Sequence, residues 1–387
     1  MSRKIIITGW DRFILTGLHD GRQFVDLDIY DTEKNSELGN IYVGRVIDIV
    51  KNINAAFIEY SDGKKGYYSI ADNRKPIFLN KKNTDKMCQG DKVLVRLSKE
   101  AVKTKFPVLT SKLEFAGKFA VLTYGDRRIC FSGKFIDKDR KESLTRAIKE
   151  QYSGDLGFII RTNANEANDE EILAEMAQLV VQYKNVEKKA FFMVPGSVMY
   201  TPPKSYQVYV RDLYRDSVDE IVTDSEQIYD ELTCVCDKEK LRLYDDEMLP
   251  LIKLYSMESL MESLKREKVW LDSGAYLVIQ HTEALSVIDV NTGKCIKGKS
   301  DSKVFYKVNV ESAIEIARQL RLRNMSGIIV VDFINMNDKE LDRELLEQLR
   351  REVSKDRIKT TVVDMTELGL VEITRKKQKP PVHELHI

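Results

Sequence analysis

Two short apolar runs of this sequence each end in an aspartate. Asp289 follows the run in SVIDVN, and Asp332 follows the run in GIIVVDFI. The two positions are 43 residues apart, which suits two strands joined by a loop and a crossover helix. Because ligands of open parallel sheets gather at the carboxyl ends of the strands, neighbouring strands here would bring both carboxylates to one ion.

The residue types around this pair favour a hard cation. Oxygen ligands with no histidine nearby suit Mg²⁺ or Mn²⁺ better than zinc. Such an ion activates water and neutralises charge on a phosphodiester. Asn291 lies two positions after Asp289, where it could orient a carboxylate or a phosphate oxygen. The alternative is that each aspartate only ends a strand or caps a turn, and the spacing alone leaves both readings open.

Most charges near the pair are positive, as a polyanionic substrate requires. The alternative is that these residues form a solvated helix face, and for Arg323 taken alone that is the default interpretation. The basic residues concerned are Lys294, Lys297, Lys299, Lys303, Lys307, Arg318, Arg321 and Arg323.

Composition sets wide limits on the protein. The 387 residues suggest two to four domains, and the net charge of +1 indicates no particular partner. The first residues lack a signal-peptide pattern, and no run is apolar enough to span a membrane. Five scattered cysteines indicate a reducing cytoplasm. We interpret Cys234 and Cys236 as two strand residues on one face, not as zinc ligands.

The elements that would position these residues follow from periodicity. Residues 4–35 predict strands with a hairpin turn at HDGRQ, and the short runs from IYVGRVIDIV to KVLVRL predict a small barrel. EEILAEMAQLVVQYKNVEKKA has the spacing of a helix. MVPGSVMYTPPKS is typical of a loop and a boundary. YQVYVRDLY and VDEIVTDS alternate like strands, and MESLMESLKREKVW is helical.

From residue 270 the pattern becomes strand, helix, strand. AYLVIQHTEALSVIDVN predicts two strands, and VESAIEIARQLRLRN predicts a helix with Asn309 as its N-cap. GIIVVDFI, DKELDRELLEQLRREVSKD and KTTVVDM then predict a strand, a helix and a strand. This order predicts a mostly parallel sheet.

Taken together, these segments resemble the ribonuclease E/G family of bacterial endoribonucleases. SVIDVN, EIARQLRLRNMSGIIVVDFINM and LGLVEITRK are similar to its catalytic region, and DLDI, GNIYVGRV, NAAFIEY and KKGYYSI to its amino-terminal region. GFIIRTNA resembles its 5′-end sensor. The resemblance runs from about residue 1 to residue 376, with the segments in the family's order.

The resemblance implies a multidomain α/β architecture. Residues 1–35 and 206–269 would form a discontinuous ribonuclease H-like domain. An S1 barrel of the OB type would occupy residues 36–110, and a 5′-sensor region residues 111–205. A DNase I-like catalytic subdomain would occupy residues 270–387.

The resemblance also implies a reaction, the magnesium-dependent hydrolysis of single-stranded RNA by metal-activated water. The products would carry a 5′-phosphate and a 3′-hydroxyl, and the enzyme would act in RNA processing or decay. Asp289 and Asp332 match the family's metal-binding aspartates, and Asn291 matches its supporting asparagine.

On the S1 segment, Phe57 and Tyr67 match positions where the family grips RNA with aromatic rings. Such rings stack on unpaired bases with little regard for sequence. The alternative for Phe57 is a barrel core residue, because AAFIEY alternates. Lys105 and Lys112 are candidates for contacts to the RNA backbone.

The sensor matches less completely. Arg161 and Thr162 match the pair that contacts a 5′-monophosphate, and Gly117 and Val121 match positions that contribute backbone contacts. Lys359 stands where the family has an arginine. Lysine keeps the charge but loses the bidentate fork, so we expect weaker sensing of the monophosphate.

The family's C-P-x-C zinc link has no counterpart after VEITRKK, where this sequence continues as QKPPVHELHI. We therefore expect no zinc link and no small domain after it, and any homo-oligomer would form by another route. His383 and His386 are interpreted as incidental residues of a flexible end. Two further functions stay open: an S1-containing RNA-binding protein with weak or no nuclease activity, and a metal-dependent DNA nuclease.

Overall fold

The computed structural model describes the chain except residues 1, 34–35, 74, 82–83, 85, 102–104, 133–134, 136, 153, 166, 214–217, 294–301 and 386–387. Two compact units are present. The split unit consists of Met1–Glu33 and Ser205–Ile387, and the inserted unit consists of Lys34–Lys204. No helix in the described part of the chain combines the length and the apolar character that crossing a membrane needs.

The strands and helices have the following bounds. The strands are β1 Lys4–Trp10, β2 Phe13–His19, β3 Phe24–Asp31, β4 Ile41–Val50, β5 Ala55–Ser61, β6 Lys64–Ser69, β7 Ile77–Phe78, β8 Lys92–Lys99, β9 Val108–Thr110, β10 Glu114–Ala116, β11 Ala120–Tyr124, β12 Ile129–Phe131, β13 Leu156–Ile160, β14 Val198–Tyr200, β15 Glu220–Thr223, β16 Leu241–Leu243, β17 Lys268–Trp270, β18 Tyr276–His281, β19 Leu285–Asn291, β20 Gly327–Asp332, β21 Thr360–Met365 and β22 Leu370–Arg375. The α-helices are α1 Lys138–Gln151, α2 Asp169–Ala190, α3 Ser205–Leu213, α4 Glu226–Leu232, α5 Leu251–Leu254, α6 Met257–Leu264, α7 Ser302–Leu322 and α8 Lys339–Ser354.

The first sheet of the split unit joins the start of the chain to residues beyond 220. Its order is β16-β15-β1-β2-β3, and β1 runs parallel to β15 with Lys4 opposite Glu220. The central strand is buried on both faces, since Ile5, Ile6 and Ile7 are fully inaccessible to solvent. A continuous apolar run of this kind is typical of a strand covered on both sides.

Residues 205–213 form a helix, so the prediction of a strand at YQVYVRDLY was wrong. The tyrosines and valines of this segment favour strands by propensity. The buried residues Tyr206, Tyr209, Val210 and Leu213 nevertheless recur at helical spacing and pack together on one side. Burial of this face therefore decides the structure, and local propensity does not.

The second sheet of the split unit has the order β17-β18-β19-β20-β22-β21. The prediction of a mostly parallel sheet was wrong, because only β19 and β20 run parallel among the described strands of this sheet. The strand that follows α8 turns back in a hairpin, with Gly369 at φ 84°, and its second arm pairs with β20. Helices α7 and α8 pack against one face of the sheet.

The inserted unit contains a closed five-stranded barrel of the OB-like type. Strands β4, β5, β6, β9 and β8 are paired in that order, and a further pairing of β4 with β8 closes the cylinder. A second sheet, β10-β11-β13-β12, shares a core with α2. Helix α2, which the sequence predicted, begins with a capping box formed by Asn168 and Glu171.

Two smaller predictions are corrected by the fold. Cys234 and Cys236 lie in a turn after α4 and not in a strand, and the Cys236 thiol donates to the carbonyl of Leu232. The segment around His383 is packed rather than loose, since the neighbouring Val382 is buried and donates its N–H to the carbonyl of Arg323. The ring of His383 stacks on that of His281, with centroids 3.7 Å apart.

Candidate active site

Asp289 and Asp332 occupy directly paired positions on the two parallel strands β19 and β20. Along β19 the residues Ile288 and Val290 are buried in the core that contains α7 and α8, so the alternate positions project from the opposite, open face. Both aspartates are exposed on that face. Paired positions on neighbouring strands lie about 5 Å apart, so the two carboxylates are neighbours.

Asn291 lies on the same face as Asp289, because the two residues are separated by two positions in one strand. Its side-chain Nδ2 donates a hydrogen bond to Oδ2 of Asp289 at 2.7 Å. The amide therefore fixes the orientation of one carboxylate.

The two exposed carboxylates are oxygen donors of the kind that Mg²⁺ takes in proteins. The described residues contain no cluster of three or more aspartate, glutamate, histidine or cysteine side chains able to hold an ion. Two exposed carboxylates leave most of an octahedral shell to water and substrate oxygens. Mg²⁺ dehydrates reluctantly and is commonly bound in proteins by one or two carboxylates together with substrate phosphates.

The prediction that Asn309 caps a helix was wrong, because α7 begins at Ser302 and Asn309 is buried within it. Its amide exchanges two hydrogen bonds with the backbone of Ile334, donating at 2.8 Å and accepting at 3.1 Å. Asn309 thus anchors the segment that directly follows Asp332. Asn309 stands four residues before Ala313, which lies on the apolar side of the predicted helix, and this helical spacing was the available sequence signal.

The predicted basic surroundings of the site are only partly present. Arg318, Arg321 and Arg323 lie inside the split unit, where they donate to the backbone carbonyls of Phe24, Val25 and Arg266 respectively. Burial lowers the pKa of Arg323 to about 10. They are therefore neither a solvated helix face nor substrate contacts. Lys303 and Lys307 are exposed, whereas Lys294, Lys297 and Lys299 lie outside the described residues, as do Cys295 and His386.

Phe57 and Tyr67 lie together on the outside of the barrel. Ala56, Ile58 and Tyr60 of β5 are buried, and Phe57 alternates with them, so the alternative of a core position for Phe57 was wrong. Phe57 is paired directly with Tyr67 of β6, and the two rings meet edge to face at 6.3 Å.

Phe106 extends this aromatic surface and was not predicted. Its ring lies 5.2 Å from that of Phe57, and the residue is 53% exposed. Lys105, the adjacent residue, is also exposed. Lys112 is exposed as well and lines a cleft with Lys75, Arg127 and Asp155, where hydrogen bonds from Lys75 and Arg127 hold the pKa of the Asp155 carboxyl below its ordinary value.

Four of the predicted sensor residues lie close together in the inserted unit. The Nη1 of Arg161 donates to the carbonyl of Gly117 at 2.9 Å, and the hydroxyl of Thr162 hydrogen-bonds to that of Ser132 at 2.7 Å. Val121 is half-buried in β11, which adjoins the strand that ends at Ile160. Lys359 belongs to the split unit, where it is exposed and precedes β21.

Glu175 of α2 organises the loop between Gly117 and β11, and sequence reasoning missed it. Its carboxylate accepts hydrogen bonds from the backbone N–H groups of Lys118, Phe119 and Ala120, at 2.6, 2.8 and 3.0 Å. A Cβ at Gly117 would meet this carboxylate at 2.6 Å. The glycine therefore permits the close approach of helix and loop.

Comparison with known proteins agrees with this arrangement. The model of the ribonuclease E/G family matches residues 114–378, which include both aspartates, Asn291 and the loop around Gly117. The chain belongs to the ribonuclease E/G family. It is accordingly an enzyme of the endoribonuclease class, with RNA as the substrate that the family implies.

Individual members of the family are similar over nearly the whole chain. Ribonuclease G of Salmonella typhimurium is 30% identical over 382 residues, covering 95% of this chain and 78% of that protein. A ribonuclease E/G-like protein of Pyropia yezoensis is 31% identical, covering 90% and 71%. Ribonuclease E of Synechocystis is 29% identical, covering 91% of this chain and 54% of that protein.

Proposed function

We propose that this ribonuclease E/G family member is a magnesium-dependent endoribonuclease that cleaves single-stranded RNA and leaves a 5′-phosphate and a 3′-hydroxyl. The observation that carries the proposal is the pairing of Asp289 with Asp332 on the open face of the sheet, with Asn291 bonded to the first carboxylate.

Asp289 and Asp332 would hold the ion between them. When bound, Mg²⁺ supplies charge neutralisation on the phosphodiester and activation of water. The residues of this chain contribute orientation. Asn291 directs the Asp289 carboxylate, and Asn309 fixes the backbone that leaves Asp332.

The barrel supports single-stranded RNA as the substrate. Phe57, Tyr67 and Phe106 present ring faces and edges to solvent with an exposed lysine beside them. Bases of a duplex already stack on each other, whereas unpaired bases are free to stack on aromatic side chains. We assign this surface to RNA gripping, with Lys105 and Lys112 as backbone contacts.

The finer architecture is also part of the proposal. We assign residues 1–35 and 206–269 to a ribonuclease H-like domain, 36–110 to an S1 domain, 111–205 to a 5′-sensor region and 270–387 to a DNase I-like subdomain. In that scheme Arg161, Thr162 and the backbone at Gly117 and Val121 recognise a 5′-monophosphate, and Lys359 stands where the family has an arginine.

The proposal is tested with 5′-labelled A/U-rich RNA and with DNA of the same sequence. Wild-type protein is expected to cut the RNA only with magnesium, and the products should carry 3′-hydroxyl ends. Asp289→Asn and Asp332→Asn should each abolish cleavage while RNA binding in EDTA persists. Glu347→Gln, an exposed change on α8, is the matched control. Cleavage in EDTA, or full activity of either aspartate variant, would refute the metal assignment.

A further inference from the structure

An exposed tryptophan lies on the same sheet face as the candidate active site. Trp270 is paired with Tyr276, and Tyr276 is paired with Asn291. Directly paired residues of antiparallel strands share a face, so the three side chains form one row across β17, β18 and β19. Trp270 is 63% exposed, and its ring centroid lies 5.2 Å from that of Tyr276.

The ammonium group of Lys268 lies against the Trp270 and Tyr276 rings. Lys268 lies two residues before Trp270 and is paired with Val278, which is paired in turn with Asp289. The Lys268 ammonium lies 3.5 Å from the ring centroid of Tyr276 and 4.1 Å from that of Trp270. The aromatic row thus adjoins the row of the two aspartates. By the spacing of neighbouring strands, Trp270 lies roughly 10 Å from Asn291.

Edge-strand protection alone does not account for these residues. β17 is the edge of the sheet, and a lysine on such a strand discourages pairing with other chains. Protection of an edge does not call for a large exposed ring, because exposed apolar area contributes little to stability and favours association. The Lys268 ammonium lies over one face of each ring, and the exposed part of Trp270 is a surface on which an unpaired base can stack.

We propose that Trp270 and Tyr276, together with Lys268, form a subsite that stacks one unpaired base next to the phosphate cleaved at Asp289 and Asp332. The subsite rests on the proposed nuclease function and adds a second place where the RNA is held. Because every base has a stacking face, the subsite accepts any base but requires it to be unpaired. Lys268 would contact the phosphate attached to that nucleotide.

Binding is measured first, in EDTA, so that cleavage plays no part. Trp270→Ala should weaken binding of a short single-stranded RNA roughly 5- to 150-fold, the range for loss of one stacked base. Trp270→Phe, which keeps a ring, should restore most of the affinity. The matched control is Ile328→Ala. This change shortens a side chain that is 51% exposed on the same face, at the end of β20 far from Asp332. In a Trp10→Phe background Trp270 is the remaining tryptophan, and its fluorescence should be quenched by RNA.

Cleavage of RNAs with one abasic nucleotide then locates the base. Wild-type protein should be slowed by an abasic nucleotide at one position beside the cut, and Trp270→Ala should be insensitive to it. The subsite is refuted, while the nuclease function stands, if wild-type protein cleaves RNA but Trp270→Ala binds RNA equally well and is slowed by an abasic nucleotide at the same position. If no RNA is cleaved by the wild type, the proposed function fails instead, whatever the binding shows.

Discussion

Glu175 is predicted to control recognition of the RNA 5′ end without contacting RNA. Its carboxylate holds three successive backbone N–H groups of the loop that starts at Gly117. The carbonyl of Gly117 accepts the hydrogen bond from the Arg161 guanidinium. Loss of the carboxylate therefore releases the loop that orients Arg161, which we assign to the 5′-phosphate.

The size of the effect follows from the hydrogen bonds. Bonds to a charged group contribute about 1.5–3 kcal/mol each when one partner is removed from a buried site, and less where water can replace it. Glu175 is half-buried, so water can partly replace each of the three bonds. At about 0.7 kcal/mol for each bond, Glu175→Ala should cost about 2 kcal/mol of local stability in total. Glu175→Gln should cost less, since the amide oxygen can still accept from Phe119 and Ala120. The NH₂ group of this glutamine would then face the backbone N–H of Lys118. Because both groups are donors, that hydrogen bond would be lost.

The assay compares kcat/KM for 5′-monophosphorylated and 5′-hydroxyl RNA at one salt concentration. The ratio of the two values should fall toward one in Glu175→Ala and to an intermediate value in Glu175→Gln. Cleavage of the 5′-hydroxyl substrate should be unchanged in both variants, because its 5′ end offers no phosphate for the sensor to bind. Glu170→Gln, an exposed change in the same helix, serves as control.

Two results would refute this reasoning. Glu175→Ala could keep the wild-type ratio, which would mean that the loop needs no carboxylate to hold Arg161. Both substrates could instead slow equally in Glu175→Ala, which would point to general destabilisation of the inserted unit. Thermal unfolding of each variant separates the second case from a specific loss of sensing.

Four further outcomes are expected. Phe57→Ala should weaken RNA binding by about 1–3 kcal/mol without lowering the unfolding temperature, because the ring lies outside the barrel core; titration and thermal scans check both. Lys359→Arg should increase the preference for 5′-monophosphorylated RNA, measured as the kcat/KM ratio; an unchanged ratio would remove Lys359 from the sensor. Arg375→Met should lower the free energy of unfolding, measured with denaturant, by about 3–5 kcal/mol, because it leaves the carboxylate of Asp356, 2.7 Å away and 2% exposed, without its positively charged partner. Burial, and then the adjacent His383, lower the pKa of His281 to about 4. The stability that neutral His281 contributes above pH 6.5 should therefore decline as the pH falls toward 4. His281→Gln should flatten that decline, as measured by thermal scans at a series of pH values.

The sequence predicted most reliably what local periodicity determines. The helix α2, the two strands that carry the aspartates and the closely spaced strands of the barrel were all expected, and the structure confirms them. Each has a one-sided or alternating apolar pattern that permits a single way of burying the chain. The segment YQVYVRDLY shows the limit of this approach, because its residue types favour a strand while its spacing buries a helix face.

Partner choice between distant segments was beyond local reasoning. The parallel pairing of β1 with β15 joins residues more than 200 positions apart, and no local pattern in either strand specifies the other. The same applies to β20, whose second neighbour is the later arm of a hairpin and not the strand directly after α8. A strand offers the same backbone groups to any partner, so the choice depends on packing of the whole sheet.

The charged residues near the site show why residue type is weaker evidence than position. Arg318, Arg321 and Arg323 have the charge expected of an RNA-binding helix, yet their guanidinium groups bond to carbonyls within the split unit. As residue types, Asp289 and Asp332 do not differ from the other aspartates of the chain. Their position sets them apart, because they are exposed and directly paired and the amide of Asn291 orients Asp289, as an ion bound to a phosphate would require. Trp270 was overlooked at the sequence level because the helix predicted for MESLMESLKREKVW ran through it. That prediction was wrong beyond Leu264, where α6 ends, and the residues from Lys268 to Trp270 form β17. Only the register of three strands places the Trp270 ring beside those carboxylates, and this register, not composition, supports the proposed base-stacking subsite on the open face.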